Sequence, residues 1–121
     1  MTAYGANELA NAYRTVRRNT IQIANDIPES SYDFVPASGA RSVAELLRLI
    51  AFASNFYEDI HRTRRITTLQ GYDFGAISRE TAAKERTALD KAATIALLES
   101  EGERVATWLE SMSPEFLHET F

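Results

Sequence analysis

The segment GARSVAELLRLIA, residues 39–51, reads as a helix start followed by one apolar face, and it sets the architecture of the chain. Ser42 stands at a suitable N-cap position, and Glu45 follows three residues later, as in a capping box. Apolar side chains then recur at helical spacing, at Val43, Leu46, Leu47 and Ile50. The segment therefore predicts an α-helix that begins directly after Ser42.

This second helix is expected to reach about Arg62 and to carry two apolar stripes. The first stripe comprises Val43, Leu46, Leu47, Ile50, Ser54 and Tyr57. The second comprises Leu49, Phe52, Ala53, Phe56 and Ile60. A helix that is apolar on two adjacent faces has neighbours on both, so this helix is expected at the centre of the molecule.

Two further long helices flank it in the sequence, and the three together are predicted near residues 7–25, 43–62 and 91–112. Pro28 ends the first helix, and Asp90 is the expected N-cap of the last. The first helix shows a narrow stripe of Leu9, Tyr13, Val16, Thr20, Ile23 and Ile27, which is typical of a helical bundle. We expect Tyr32 and Phe34, from the loop after this helix, to cover one end of the core.

A long connection, residues 63–90, precedes the last helix. Gly71 to Gly75 is predicted to form a turn whose two aromatics pack on the bundle, and Ser78 to Ala88 to form a short polar helix. An extended chain covers about 3.3 Å per residue. The connection is therefore long enough to return along the bundle, so that the last helix can start parallel to the second.

Composition limits the class of protein. A chain of 121 residues with 45% hydrophobic residues suits one globular domain, residues 1–121. No apolar run approaches the ~18 residues of a membrane span, and there is no cysteine for disulfides or thiolate ligands. The net charge of −4 does not favour a nucleic-acid-binding protein. We expect a cytoplasmic protein that contacts neither membrane nor nucleic acid.

Several short motifs, in order along most of the chain, resemble the DinB/YfiT-like family of four-helix-bundle proteins. They are Arg17-Arg-Asn-Thr-Ile, Asp26-Ile-Pro, Ser42-Val-Ala-Glu-Leu-Leu-Arg-Leu-Ile, Gly71-Tyr-Asp-Phe74, Glu101-Gly-Glu-Arg104 and Trp108-Leu-Glu. The resemblance implies an all-α bundle of the up-down-down-up type. Three of its long helices lie in this chain, which ends before the expected fourth.

The same resemblance bears on metal binding. The family is associated with a divalent metal such as zinc or nickel, held by three histidines, and with metal-dependent hydrolysis or thiol transfer. Leu49 occupies the position of the first histidine, and the H-x-x-x-H pattern of the others is absent. We therefore expect no metal cofactor and a domain that acts as a binding or oligomeric module. The alternative is a short or truncated version of a metal-dependent hydrolase or thiol transferase.

Only two histidines are available for other chemistry, and each follows a glutamate by three residues. Glu58, His61, Glu115 and His118 could in principle form a di-metal site of the Glu-x-x-His type, although histidines at helix ends are the simpler interpretation. Tyr57 and His61 are four residues apart, so they are expected on one side of the second helix. With Arg64 they are the candidate lining of a small-molecule pocket.

The second apolar stripe also predicts a partner. A three-helix bundle with one groove open would leave large side chains in water, and burying each is worth ~1.5–3 kcal/mol. We therefore expect a homodimer through Leu49, Phe52, Phe56 and Ile60. The tail from Ser113 to Phe121 could fold back over the groove instead, but it is too short to cover it.

Overall fold

Residues 4–120 are described by a computed structural model, and all regular elements in that range are helical. The α-helices are α1 (Ala6–Asp26), α2 (Val43–Phe52), α3 (Asn55–Glu58), α4 (Phe74–Glu85), α5 (Lys91–Glu110) and α6 (Pro114–Leu117). A 3₁₀ turn, Glu29–Ser31, follows α1, and a π-helical turn, Asp59–Thr63, continues α3. The predicted all-α class is confirmed, and no described helix is long and apolar enough to cross a membrane.

Helix α1 lies along α5 and runs antiparallel to it. Arg14, near the start of α1, pairs with Glu103 and Glu110, near the end of α5. At the other end, Lys91 Nζ donates to the carbonyls of Asn25 and Ile27. The predicted first helix is thus confirmed to within a residue at each end.

The buried side of α1 differs from the predicted stripe. Its buried residues are Ala10, Arg17 and Ala24, spaced by seven, whereas Val16 and Ile23 are 65% and 58% exposed. Small side chains at this seam let α1 approach α5 closely. Val16 and Ile23 therefore lie to one side of the contact, and their predicted burial was wrong, whereas Ile27 of the same stripe packs against the core.

The start of the second helix is confirmed, but its continuity is not. The Ser42 Oγ accepts from Glu45 N and the Glu45 carboxylate accepts from Ser42 N, both at 3.1 Å. The helix then breaks after Phe52, and α3 resumes at Asn55. At the break, Ile50 O accepts from the Arg17 guanidinium at 3.3 Å. A side chain that competes for a helix carbonyl is a known cause of such a break.

Helix α4 occupies the long connection and starts earlier than predicted, because Asp73 caps it by accepting from Ala76 N at 3.0 Å. Gly71, at φ +75°, makes the preceding turn. Phe74 stacks on Phe56 at 5.4 Å between ring centroids, which confirms that aromatics of this segment pack on the bundle. At the other end of α4, Arg41 and Arg48 bind Glu85.

These contacts define the order of the helices. Helix α4 runs antiparallel to α2, since its start meets α3 and its end meets the start of α2. Helix α5 is parallel to α2, because Glu58 at the far end of α3 meets Arg104. The predicted return of the chain along the bundle is confirmed. Helix α5 lies between α1 and α2, and α4 packs on the other side of α2.

The core fills the space between α1, α2 and α5. Its buried cluster contains Ala24, Tyr32, Ala44, Leu47, Ala51 and Leu98. The Tyr32 hydroxyl donates to Ala24 O at 2.6 Å, so Tyr32 covers the end of the core as predicted. Phe34 does not, because it is 61% exposed. Its backbone carbonyl accepts from Val43 N, which keeps this loop residue beside the helix start and outside the core.

Candidate functional site

The buried carboxylate of Glu58 lies at the centre of an ion cluster whose two arginines, Arg62 and Arg104, are exposed. Glu58 is 8% exposed, and its two oxygens accept from Arg104 in a bidentate pair, with Oε2 at 3.0 Å from Nη2. Arg104 also binds Glu101 at 2.6 Å, and Arg62 lies 3.6 Å from Glu58. Hydrogen bonding to Glu58 is the main reason that the pKa of Arg104 is raised. Glu58 therefore ties α3 to α5.

The residues expected to form a polar pocket are separated by the π-helical turn. Tyr57 is 58% exposed and lines a groove against α4. His61 lines a cavity at the other side of the turn, where its ring meets Phe116 edge-on at 6.1 Å. Arg64 binds Asp59 at 2.8 Å. The predicted pocket of Tyr57, His61 and Arg64 is therefore not formed, because the turn holds one more residue than an α-helical turn and rotates the residues after it.

A second polar cluster joins the π-helical turn to the loop before α4. The Tyr72 hydroxyl donates to Asp59 Oδ2 at 2.6 Å, and Arg64 Nε donates to the same oxygen at 2.8 Å. The hydrogen bond from Tyr72 is the largest cause that lowers the pKa of Asp59, with Arg64 adding to it. Burial, and then the contact with Asp59, raises the pKa of Tyr72 to about 12.

The second Glu-x-x-His pair considered for a di-metal site lies near the C-terminal end of the described chain. Glu115 and His118 are exposed, on α6 and directly after it. Across residues 4–120 no group of three or more His, Asp or Glu side chains is placed to hold a metal ion. The four residues Glu58, His61, Glu115 and His118 are thus not brought together, and Glu58 is engaged by arginine.

A cavity of about 400 Å³ lies between the π-helical turn and the chain that follows α5. We call it the terminal cavity. Its lining includes His61, Arg65, Ile66, Met112 and Phe116. A smaller cavity of about 260 Å³ shares His61, Arg65, Met112 and Phe116 and extends to Arg62 and Trp108. The two cavities are thus lined by both cationic and apolar side chains.

The family is decided by comparison with known sequences. The profile of the DinB superfamily matches residues 12–121, nearly the whole chain. The chain belongs to the DinB superfamily. The predicted family is therefore confirmed, together with its all-helical class. Comparisons of this DinB domain with curated proteins and with solved structures gave no match.

The surroundings of Leu49 test whether this DinB domain fits the metal that its family implies. Leu49 is half-buried and lines an apolar groove of about 460 Å³ with Phe52 and Phe56 against Ile77 and Thr81 of α4. The carboxylate in the described lining, Glu85, is paired with Arg41, and no histidine lies there, so the groove offers no set of three or more free donors for zinc or nickel. The residues of this site do not fit a metal.

Sequence reasoning missed the terminal cavity of the DinB domain. It placed Arg64 in the site, whereas the neighbouring Arg65 lines it. It also gave no role in a site to Trp108, which lines the adjoining smaller cavity. The available signal was the Arg64-Arg65 pair directly after a helix end, followed by an apolar tail around Phe116.

Proposed function

We propose that this DinB domain is a helix-packing module that pairs with a second copy of itself through one face of α1 and α2. The observation that carries the proposal is a double row of exposed apolar side chains. Val16 and Ile23 of α1 are 65% and 58% exposed, and Leu46 of α2 is 49% exposed beside the half-buried Ile50. Contiguous exposed apolar surface of this kind usually marks an interface.

The two rows flank one another. Tyr13 precedes Val16 by one helical step, and Ile50 follows Leu46 by another, so each belongs to one of the rows. Both meet the Arg17 guanidinium, which donates to the Tyr13 hydroxyl at 2.7 Å and to Ile50 O at 3.3 Å. The rows therefore form one surface, which we call the α1–α2 face.

This face replaces the interface predicted from the second apolar stripe. Ile60 is only 2% exposed within the single chain, so it cannot contribute to a dimer. Phe56 is surrounded by the rings of Tyr57, Tyr72 and Phe74. Leu49 and Phe52 are half-buried beside α4. Helix α4 thus covers the second apolar stripe, and the α1–α2 face is the apolar surface that remains available to a partner.

The size of the face indicates a weak dimer. Helix α1 has 21 residues, which makes it about 30 Å long, and packed helices lie about 10 Å apart. Because α2 is shorter than α1, with 10 residues, the two helices present at most roughly 600 Å², below the ~800 Å² per partner of a standard interface. We expect dissociation in the micromolar range, with the two copies related by a two-fold axis.

Light scattering coupled to size exclusion tests the pairing. The expected mass is twice 13.6 kDa at high concentration, falling toward the monomer on dilution. Leu46→Glu and Val16→Glu should each abolish the dimer, because they place a charge in the apolar face. Val35→Glu is the matched control, since Val35 is 44% exposed in the loop before α2 and lies outside the face. A monomer at every concentration up to ~100 µM contradicts the proposal, since a micromolar dimer would be populated there.

Metal analysis addresses the alternative of a metal-dependent hydrolase or thiol transferase. We propose that the domain binds no zinc or nickel at Leu49, since the groove holds no histidine and its carboxylate, Glu85, is paired with Arg41. Calorimetric titration with each metal should show no stoichiometric binding. One tightly bound ion per chain would favour the enzymatic alternative, and the dimer measurement would stand independently of that result.

A further inference from the structure

We infer that the terminal cavity binds a small organic anion, a carboxylate that carries an apolar tail. The cavity has a volume of about 400 Å³, within the range of pockets that enclose small ligands. It lies at the end of α5, so the inference does not depend on the pairing of α1 and α2.

Arg65 is the anchor for the carboxylate. Its backbone has φ +53°, the only left-handed conformation of a non-glycine residue among those described. Such a conformation is disfavoured for residues other than glycine and is often found at binding sites. The guanidinium of Arg65 lines the cavity and makes no hydrogen bond or ion pair within residues 4–120. A planar guanidinium binds carboxylates with two parallel hydrogen bonds.

The charge balance of the cavity favours an anion. Arg62 lines the adjoining part of the same cleft, and its contact with Glu58 is long, at 3.6 Å. Glu119 is the carboxylate in the described lining. In the described linings of the two cavities taken together, two arginines stand against one carboxylate, so the local field attracts a negative group. His61 belongs to both linings.

Apolar side chains of the terminal cavity and of the adjoining smaller cavity accept the tail. They are Trp108 in the last turn of α5, Met112 between α5 and α6, and Phe116 in α6. Aromatic and thioether side chains make an adaptable apolar surface. A ligand with a charged end and a short aromatic or aliphatic chain matches this division of the cavity.

The only tryptophan of the chain is Trp108, so its fluorescence reports binding directly. The probe is 4-phenylbutyrate, and its neutral amide has nearly the same shape without the charge. We expect 4-phenylbutyrate to change the emission of Trp108 in a saturable way. We expect the amide to bind at least fivefold more weakly, because Arg65 then loses its ionic partner.

Point variants distinguish specific binding in the terminal cavity from non-specific electrostatic attraction to the protein. Arg65→Gly removes the guanidinium and suits the left-handed backbone, so the fold is retained while affinity falls at least fivefold. A glycine at position 18 would disturb helix α1, so Arg18→Gly is not a suitable control. Arg65→Gln is therefore compared with Arg18→Gln, which removes the same charge at an exposed position of α1. Glu119→Gln should tighten binding, because it removes the opposing charge.

Three results would overturn the inference. One is a fluorescence and NMR titration with 4-phenylbutyrate that shows no binding at millimolar concentration. Another is equal affinity for the acid and its amide, which would leave Arg65 without a role. The third is an equal loss in Arg18→Gln and Arg65→Gln, which would indicate non-specific attraction to the whole protein.

Discussion

At the scale of single residues, Gly102 of α5 lies directly against the side chain of Arg17 of α1. A Cβ added at Gly102 would lie 2.5 Å from Arg17 Cγ, well inside contact distance. The Arg17 side chain cannot swing away freely, because its guanidinium is bonded to Leu98 O, Ile50 O and the Tyr13 hydroxyl. Glycine at this position is therefore required by packing.

Gly102→Ala should destabilise the fold. The clash is expected to cost about 1–3 kcal/mol, of which the better helix propensity of alanine returns up to about 1 kcal/mol. Urea denaturation measures the change. Gly75→Ala is the control, since its nearest neighbour is the flexible end of Arg79 at 3.1 Å, and it should be neutral or slightly stabilising. Equal behaviour of the two variants would show that α1 and α5 can move apart at little cost.

At the scale of elements, the π-helical turn depends on its contact with the loop before α4. Asp59 starts that turn and Tyr72 precedes the N-cap of α4, and their hydrogen bond of 2.6 Å joins the two segments. Neither residue suggested this role in the sequence, since they are separated by the connection. The contact also fixes the place from which α4 begins its return along α2.

The Asp59–Tyr72 contact should make stability depend on pH at both ends of the range. The pKa of Asp59 in the folded protein is below its ordinary 3.8. Its contribution to the stability of the fold is therefore present above pH 3.8 and is lost as pH falls through the lowered pKa. The pKa of Tyr72 is raised from 10.0 to about 12, so its contribution is present below pH 10 and is lost as pH rises toward 12.

Tyr72→Phe tests the contact directly. It should cost about 1 kcal/mol at neutral pH and should move the pKa of Asp59 upward, as followed by NMR of the carboxyl carbon. Tyr57→Phe is the control, since the Tyr57 side chain is 58% exposed and should leave the Asp59 titration unchanged. An unchanged pKa of Asp59 in Tyr72→Phe would show that Arg64 alone holds the carboxylate.

At the scale of the whole molecule, Arg17 connects three helices. It is 8% exposed, projects from α1, and donates to a carbonyl of α5 at 3.1 Å and to one of α2 at 3.3 Å. The α2 carbonyl lies in its last turn, where the helix breaks and carbonyls lack their usual partners. Arg17 thus stabilises the break that separates α2 from α3.

Arg17→Met keeps the aliphatic stem over Gly102 and removes the guanidinium. We expect a loss of about 1–3 kcal/mol, because buried carbonyls and the Tyr13 hydroxyl lose a donor. Arg18→Met, at the adjacent exposed position, should change the free energy of unfolding by no more than about 0.5 kcal/mol. Similar stability of the two variants would show that Arg17 is not needed to join the helices.

The family, the all-helical class, the capping box at Ser42 and the return of the connection along the bundle could all be predicted from the amino-acid sequence. These features depend on local spacing and on chain length, which can be read without knowing what lies nearby. The expectation that Leu49 replaces a metal ligand of the family also came from the sequence, and it stays a prediction.

Which apolar residues are covered depends on the packing of the helices. The face of Val16 and Leu46 has helical spacing similar to that of the buried stripes, so the sequence could not tell which stripe a neighbour would bury. Helix α4 settles the question by packing on Phe56 and leaving the α1–α2 face open. Arg65 likewise lines the terminal cavity directly after the π-helical turn, and that turn is bonded through Asp59 to Tyr72 in the loop before α4.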